Sequence, residues 1–426
     1  MKKHIDTQYD VVVIGAGASG MLAAGRAAEL GAKVVLLEKN KQVGKKLGIS
    51  GGGRCNITNA EEDVHAFTAH YGDGGPFLFS PLSQFGVLDT FSFFERLGLP
   101  LVTQARKRAF PHTEDAHDVV DVLDRYARDN GCIVRTNVKV LGIDSENGLY
   151  SIETKEHIYK VPYCVIATGG VAAPETGSTG DGFTFARRLG HTIKEPNPNI
   201  VPLTTDARWV HTLAGTSLSF MRLRFIQDGV IKITKVGKIL FTHFGISGPL
   251  VLNTAHDVVG LLEHGEVTAS VDMFPDTEIG DLNQRLIKLF DRHKNKLLKN
   301  VLPELISERV STTILQSISD ELLHTPVHSI TKEERNELAH LLKDLQFPIT
   351  GTLGYEDAVI ADGGIPPEEI NFASMESKIA PGLFVTGDMI NITRPSGGYS
   401  LQLCWTTGYV AGSAIAGKLQ RQNTSE

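Results

Sequence analysis

The chain has 426 residues, 41% hydrophobic and 21% charged, with a formal net charge of −7. That is enough chain for two or three globular domains. The acidic balance disfavours general attraction to nucleic acid or to an anionic membrane, and no apolar run approaches the roughly 18 residues needed to span a bilayer.

Tyr9 to Gly20 opens the structured chain. Val11 to Ile14 reads as a buried parallel strand and Ser19 to Leu30 as the helix after it. Between them, Gly15 permits a tight turn, Gly17 lets the backbone approach a pyrophosphate, and Gly20 lets helix pack on strand. Ala18 and Ser19 complete this turn, which aims the helix N-terminus at phosphate. Lys33 to Leu37 forms the second strand. Glu38 follows at about the 20-residue spacing expected of a carboxylate that accepts ribose hydroxyls, and an acid there disfavours a ribose 2′-phosphate. In a chain with 43 glycines a lone GxGxxG is weak, but strand, helix and acid together predict dinucleotide binding.

Gly44 to Asn59 is a Gly- and Lys-rich loop. Leu88 to Leu97 and His117 to Asn130 read as helices, Cys132 to Val140 as a strand, Tyr150 to Lys160 as a hairpin arm, and Val161 to Gly170 as a strand running into glycines. Glu195 to Asn199 reads as a boundary. Short alternating strands follow, including Met221–Phe225 and Val230–Thr234. A charged helical stretch comes next, as in Leu282 to Lys296. The domains expected are 1–194 as the first part of a nucleotide-binding domain, 195–277 as an inserted β-barrel-like domain, 278–350 as its helical part, and 351–426 as the nucleotide domain's return.

That return selects the dinucleotide. Gly382 to Asp388 is a third strand ending in Gly-Asp, and Gly397-Gly398 opens an apolar helix to about Leu419. In flavoproteins a late Gly-Asp supplies a carboxylate to the ribityl chain, and a following helix N-terminus favours negative charge on the reduced ring. Gly387, Asp388, Gly397, Gly398, Tyr399, Ser400 and Leu401 are therefore assigned to FAD. With no second GxGxxG after a strand, any NAD(P)H must dock transiently. Thr168-Gly169 reads as a backbone crossing beside the cofactor, and Val138 as packing its backbone against adenine.

The string Gly48 to Asn59 (Gly-Ile-Ser-Gly-Gly-Gly-Arg-Cys-Asn-Ile-Thr-Asn) resembles the signature of a bacterial FAD-binding flavoprotein family. That family is labelled NAD(FAD)-utilizing dehydrogenase or aminoacetone oxidase family, and includes a bile-acid-metabolising reductase branch. Thr168-Gly169-Gly170, Pro174 to Gly182, Thr242 to Pro249, Met375 to Lys378 and Gly397-Gly398-Tyr399 match further blocks, over nearly the whole chain. The resemblance implies an α/β fold: a glutathione-reductase-like FAD-binding Rossmann domain interrupted by a β-barrel and a helical subdomain. It also implies oxidoreductase activity. Members often carry Gly-Glu followed by Asp where this chain has Gly387-Asp388-Met389-Ile390-Asn391.

Lys39, Lys45, Gly51, Gly53, Arg54 and Asn56 are the remaining cofactor candidates. For Lys45 and its neighbour Lys46 a solvated basic loop is the simpler reading; Arg54, inside a glycine cluster, is assigned to the cofactor or active site. His243, in the inserted domain, is a candidate acid or base near neutral pH, against a loop-structuring role. Tyr399 and Arg394 are candidates for orienting a carboxylate or carbonyl substrate. Cys55 and Cys404 read as packing thiols. The four cysteines lack a CxxC pair, which argues against a disulfide framework or zinc site, and no histidine has ligand spacing, so no metal is expected. The polar Met1–Asp10 leads straight into a strand rather than a signal peptide, and the cytoplasm is the expected compartment. The function expected is FAD-dependent hydride transfer to or from a small organic substrate, with NAD(P)H as a candidate reductant. The alternatives are an FAD-dependent RNA-modifying enzyme, which Lys232, Lys235, Lys238 and the basic helix containing Lys288, Arg292, Lys294, Lys296 and Lys299 leave open, and a non-catalytic flavin-bound sensor or assembly protein. Nothing in the sequence signals an oligomeric state.

Overall fold

The computed structural model describes residues 3–318 and 320–424. They form two compact bodies: the chain up to Pro198 together with the chain from Ala358 onward, and Asn199–Asp357.

The first body is built on strands β1 (Val11–Ile14), β2 (Val34–Leu37), β3 (Ile133–Arg135), β4 (Tyr163–Ile166) and β5 (Leu383–Val385), with helices α1 (Ala18–Glu29), α2 (Ala116–Asp129) and α3 (Tyr399–Asn423). The sheet order is β5-β4-β1-β2-β3, extended beyond β5 by the short strands Glu376–Ser377 and Ile370–Asn371. The five named strands are parallel, with Val165 beside both Val13 and Phe384. Every residue of β1, β2, β4 and β5 is buried. Covered on both faces, these strands read as unbroken apolar runs rather than alternating ones.

The single strand expected over Cys132 to Val140 is two. Asn137 adopts φ 58°, a left-handed conformation that ends β3, and the chain re-forms as Val140–Glu146 in a separate four-stranded sheet with Leu149–Thr154, His157–Val161 and His4–Asp6. The Glu195–Asn199 segment, read as a boundary, is where the two bodies part after Pro198, and it has regular structure. Lys194–Asn199 is a strand paired with Ile360–Gly364. Their approach is so close that a Cβ on Gly363 would lie 2.6 Å from the Pro196 Cα.

The second body holds a seven-stranded sheet. Its order is Leu345–Ile349, Val267–Asp272, Ser217–Gln227, Val230–Phe241, Gly245–Ser247, Leu203–Thr204 and Gly351–Thr352. The first and last strands of that order are consecutive in the chain, joined through Thr350, so the sheet curls back on itself as a barrel does. The alternating inward residues Leu223, Phe225, Ile239, Phe241, Ala269 and Val271 are fully buried. The closing strands thus come after the helical stretch, whose helices include Ile279–Arg292 and Lys332–Lys343. Local pattern could not foresee this, because Leu345–Thr352 finds its partners about 80 and 150 residues upstream.

Candidate active site

The first turn is set by contact, residue by residue. Gly15 has φ 99°, and a Cβ there would lie 2.6 Å from the Ala167 carbonyl oxygen; a Cβ on Gly20 would lie 1.9 Å from that of Gly15. These two glycines let β1, α1 and the crossing at Ala167 close together. Gly17 differs, for a Cβ there would meet nothing within 4 Å. It is the N-cap of α1, which has no side-chain cap and no acid in its first turn. Its leading N–H groups and dipole therefore face open space, the arrangement that binds phosphate. Ser19 accepts a hydrogen bond from the Thr386 hydroxyl at 3.0 Å, tying this turn to the end of β5.

Glu38 is 7% exposed. One carboxylate oxygen accepts from the Ala16 N–H at 2.9 Å and the other from the Asn40 N–H at 2.8 Å. Its first task is thus to clamp the turn, with its remaining lone pairs left for ribose hydroxyls. The Val138 N–H donates to the Glu38 carbonyl at 2.9 Å, so Val138 stands beside it. Two candidate cations are engaged elsewhere. Lys39 donates to Asp181 at 2.8 Å and Thr179 at 2.6 Å, and Lys45 to the Glu175 carbonyl at 2.5 Å. Both anchor the Pro174–Gly182 block rather than standing free for phosphate.

The Gly51, Gly52 and Gly53 backbones all have positive φ. A Cβ on Gly51 would press to 2.8 Å on the Asn56 nitrogen, whereas Gly52 and Gly53 face open space. Arg54 departs from expectation. It is exposed, lies over the Phe110 ring at 4.4 Å and pairs with Glu114 at 3.3 Å, because the glycine run turns its side chain away from the loop. Cys55 is fully buried and burial pushes its thiol up to about 12, against a hydrogen bond from Ser50. Asn56, with its amide oriented to satisfy both ends, accepts from the Gly398 N–H at 3.0 Å. Asn59 donates to the Gly397 carbonyl at 3.2 Å. A Cβ on Gly398 would fall 2.2 Å from the Thr58 carbonyl carbon. The two signature strings, some 340 residues apart, are thus one contact surface.

At the end of β5 the Gly387 N–H donates to Thr407 of α3 at 3.0 Å. Asp388 contacts Arg394, and its other oxygen lies 3.8 Å from Lys46 Nζ. Arg394, expected at the substrate, is 2% exposed, with Nε donating to Ser400 at 3.0 Å and Nη1 to the Ile392 carbonyl at 2.7 Å. Its guanidinium is occupied, so it positions Asp388 and Ser400 instead. Tyr399 is likewise inside, 6% exposed, with ring centroids of Phe67, His70 and Tyr71 at 5.0, 4.5 and 5.9 Å. Burial, then the Glu61 charge, raises its phenol. The helix it begins, α3, has the left-handed Gly398 as N-cap, no side-chain cap and no acid in its first turn. Leu401 is half-buried against the core. Thr168 donates toward the Met389 sulfur at 3.2 Å, and Gly169, at φ 73°, lies against Ser178. His243 belongs to the other body, where it is exposed and edge-on to Phe244 at 4.9 Å.

One residue escaped the sequence reading. Gln402 accepts from Thr58 at 2.6 Å and Thr90 at 3.0 Å, and donates to Thr406. Its place one helical turn beyond Gly398 was the available signal. Lys46, read as part of a solvated basic loop, departs from that reading. Its stem is partly exposed but its Nζ is buried and has no hydrogen-bond partner, the reverse of a lysine that keeps its head in water.

A buried ammonium without a hydrogen bond, two uncapped helix N-termini and glycines opening onto free space fit an anionic dinucleotide: Gly17–Ser19 and Lys46 toward phosphate, Asp388 and the start of α3 toward the far end. Among the described residues no group of three His, Cys, Asp or Glu side chains is placed to hold a metal, and no helix is long and apolar enough to cross a membrane.

The HI0933-like protein Rossmann domain matches residues 9–414. The chain is 28% identical to a 3-dehydro-bile acid delta(4,6)-reductase of Clostridium scindens over 95% of its own length and 98% of that protein's. It is 26% identical to the ribosomal RNA dihydrouridine synthase of Escherichia coli over 96% and 99%. Among solved structures, a flavocytochrome c3 fumarate reductase superposes with TM-score 0.53 at 17% identity, covering 97% of this chain and 78% of that one. A 3-ketosteroid-delta4-(5alpha)-dehydrogenase of Rhodococcus jostii gives 0.53 at 15%, covering 97% and 100%. At such identities these two establish shared fold alone. A match spanning nearly the whole chain decides the family: the protein belongs to the HI0933-like Rossmann-domain family.

Proposed function

We propose that this flavin-dependent oxidoreductase binds one FAD in the first body and reduces a carbon–carbon double bond conjugated to a carbonyl, on a small organic molecule, with NAD(P)H as donor. The observation that carries this is the pair of uncapped helix N-termini, of α1 and α3, linked through Ser19–Thr386 and Gly387–Thr407, with the buried Lys46 ammonium, which has no hydrogen bond, beside Asp388. The bond type comes from the relatives. A 3-dehydro-bile acid delta(4,6) substrate and the uracil ring of a dihydrouridine synthase both present a double bond next to a carbonyl. Such a bond takes hydride at the carbon remote from the carbonyl and a proton at the nearer one.

Bound FAD supplies the hydride relay between donor and double bond. The protein's own part is binding and orientation. The α1 N-terminus and Lys46 hold negative charge, Arg394 fixes Asp388 and Ser400, and the Tyr399 phenol is assigned to substrate orientation. The test is anaerobic stopped-flow mixing of the flavin-loaded protein with NADH and NADPH, then with a 3-oxo-4-ene steroid. Flavin bleaching followed by recolouring on adding the enone is expected. A preparation that takes up no flavin, or a reduced protein that the enone never reoxidises, would sink it.

A second reading has a specific observation behind it. Two relatives named ribosomal RNA dihydrouridine synthase, of Escherichia coli and Haemophilus influenzae, match across 99% of their lengths. In that reading the conjugated bond is a uracil C5–C6 bond within RNA. Mass spectrometry of ribosomal RNA from cells lacking the gene, before and after incubation with the reduced protein, decides it.

A further inference from the structure

The second body contains a feature that neither the fold nor the dinucleotide site uses. Its longest hairpin, Ser217–Gln227 with Val230–Phe241, carries Arg222, Arg224, Lys232, Lys235 and Lys238 against the single acid Asp228, in a chain whose formal net charge is −7. Lys232, Lys235 and Lys238 are exposed and have no ion-pair or hydrogen-bond partner among the described residues. Arg222 lies opposite Val236 and Arg224 opposite Thr234, so both arginines share one face with Val236 and, two residues on, Lys238. On that face Arg222, Arg224 and Lys343 converge on Asp272 at 3.2, 3.4 and 3.0 Å. Asp272 is fully buried. One carboxylate balances one of three cations, so two positive charges remain, held rigid at the hairpin's base. Arg224 and Lys343, with His340 and the acid Asp344, also line an adjoining groove walled by Ile226, Ile231 and Ile279.

The hairpin also displays bare apolar surface. Phe220 is 77% exposed and Val230, Ile231 and Val236 are more than half exposed. Phe220 sits where the strand register slips between Leu218 and Met221, at φ 59°. For an aromatic residue this left-handed backbone is strained and persists only where surrounding structure imposes it. A strained bulge that holds an aromatic ring in water, on a ribbon of unpaired cations, matches how single-stranded nucleic acid is held: cations track phosphates and a ring stacks on a base.

We propose that this hairpin is an RNA-docking ribbon, with Lys232, Lys235, Lys238 and the arginine-lined face taking phosphates and Phe220 taking a base. The proposal rests on the second reading above for the identity of its polyanion. An anionic membrane fits less well, because Lys235 and Val236 point to opposite faces of the ribbon and no single apolar face exists to enter a bilayer.

The test uses flavin-loaded full-length protein and an in vitro transcript of a ribosomal RNA segment, measured by filter binding across a salt series. K232E/K235E/K238E should bind at least tenfold more weakly, with the slope of log K against log salt shallower by about 2, from about 0.7 per lost phosphate contact. F220A should lose roughly tenfold with the slope unchanged. Both should keep wild-type flavin absorbance and the wild-type rate of flavin reduction by nicotinamide; K232Q/K235Q/K238Q serves if charge reversal impairs folding. Wild-type protein that ignores the transcript at low salt, variants that bind as tightly as wild type, or hairpin-dependent binding to phosphatidylglycerol vesicles in place of RNA would each overturn the proposal. The two readings fail separately. Hairpin-dependent binding without dihydrouridine formation refutes the second reading alone, whereas dihydrouridine formation undiminished in the variants refutes the ribbon alone.

Discussion

The crossing of α1 and α3 offers a test in which two effects of opposite sign compete. Gly408 and Gly417 both lie inside α3. A Cβ added at Gly417 meets nothing within 4 Å, whereas one at Gly408 lies 2.5 Å from the Ser19 carbonyl oxygen and 3.2 Å from the Ser19 Cα. Replacing an interior helical glycine by alanine gains about 0.8–1.0 kcal/mol from backbone entropy and propensity. At Gly417 nothing opposes that gain, so Gly417→Ala should raise stability by up to about 1 kcal/mol. At Gly408 the clash is with main chain, which has no rotamer to escape into. An ordinary contact needs about 3.4 Å, so the helices must part by nearly 1 Å, at a cost typical of overpacking, about 1–3 kcal/mol. The net effect of Gly408→Ala is a loss of about 1 kcal/mol, or roughly 2–4 °C in Tm for a body of this size.

The same separation moves the Gly387–Thr407 and Ser19–Thr386 hydrogen bonds, which join the two helix N-termini. Gly408→Ala should therefore also weaken FAD binding, by about tenfold, while Gly417→Ala leaves it unchanged. Differential scanning calorimetry of flavin-free protein and fluorescence titration with FAD measure the two quantities. If both substitutions stabilise alike, or if Gly408→Ala lowers Tm with FAD affinity intact, the argument that this crossing aligns the site is wrong.

Lys46→Met removes a buried ammonium that has no hydrogen bond but lies 3.8 Å from Asp388, which keeps Arg394 as its close partner; it should change the stability of flavin-free protein by less than about 1 kcal/mol yet weaken FAD binding by about tenfold, and titration and thermal melts in parallel check the two. Arg394→Met strips Asp388 of its close partner and Ser400 of its donor, and should cost about 3 kcal/mol with lowered flavin occupancy on purification. Burial pushes the thiols of Cys55, Cys132 and Cys404 up to about 12. The thiolate is the reactive form, so alkylation of native protein at pH 8 should run about a thousandfold slower than for a free thiol and rise only as pH climbs toward 12 or on unfolding; a native-state rate equal to the unfolded rate would contradict this. Ser377→Ala should destabilise the first body by about 2 kcal/mol, because the Ser377 hydroxyl meets the buried His191 at 2.8 Å and accepts from the Ile379 and Ala380 N–H groups; chemical denaturation reports it.

Features carried by neighbouring residues could be read directly from the sequence. The Gly15–Gly20 turn, the β1–α1–β2 unit and Glu38 all follow from steric rules acting within about 25 residues, and the strands appear as apolar runs because each is buried on both faces. Where partners were distant, reading failed in identifiable ways. Arg54 and Lys46 stand eight residues apart in one basic loop, and the glycine cluster around Arg54 was the local difference used to separate them; the fold instead points the guanidinium outward over Phe110 and the Lys46 head inward toward Asp388. Arg394 and Tyr399 were expected at the substrate, not in the interior, because their burial depends on Phe67, Tyr71 and Asp388. Gln402 offered only its place one turn beyond Gly398, which does not name Thr58 and Thr90 as its partners.

Taken by itself, the amino-acid sequence determined that a dinucleotide turn begins the chain, that a Gly-Asp strand and a glycine-opened helix end it, and that an insertion of different character lies between. Glycine, strand and cap preferences are local, and local free energies of about a kilocalorie survive in any context. The tertiary structure alone decided which charges are buried or left unpaired, as at Lys46 and the 217–241 hairpin respectively, and which helices touch, as at Gly408 against Ser19. Pairing and contact depend on atoms hundreds of residues away, whose positions no local preference encodes.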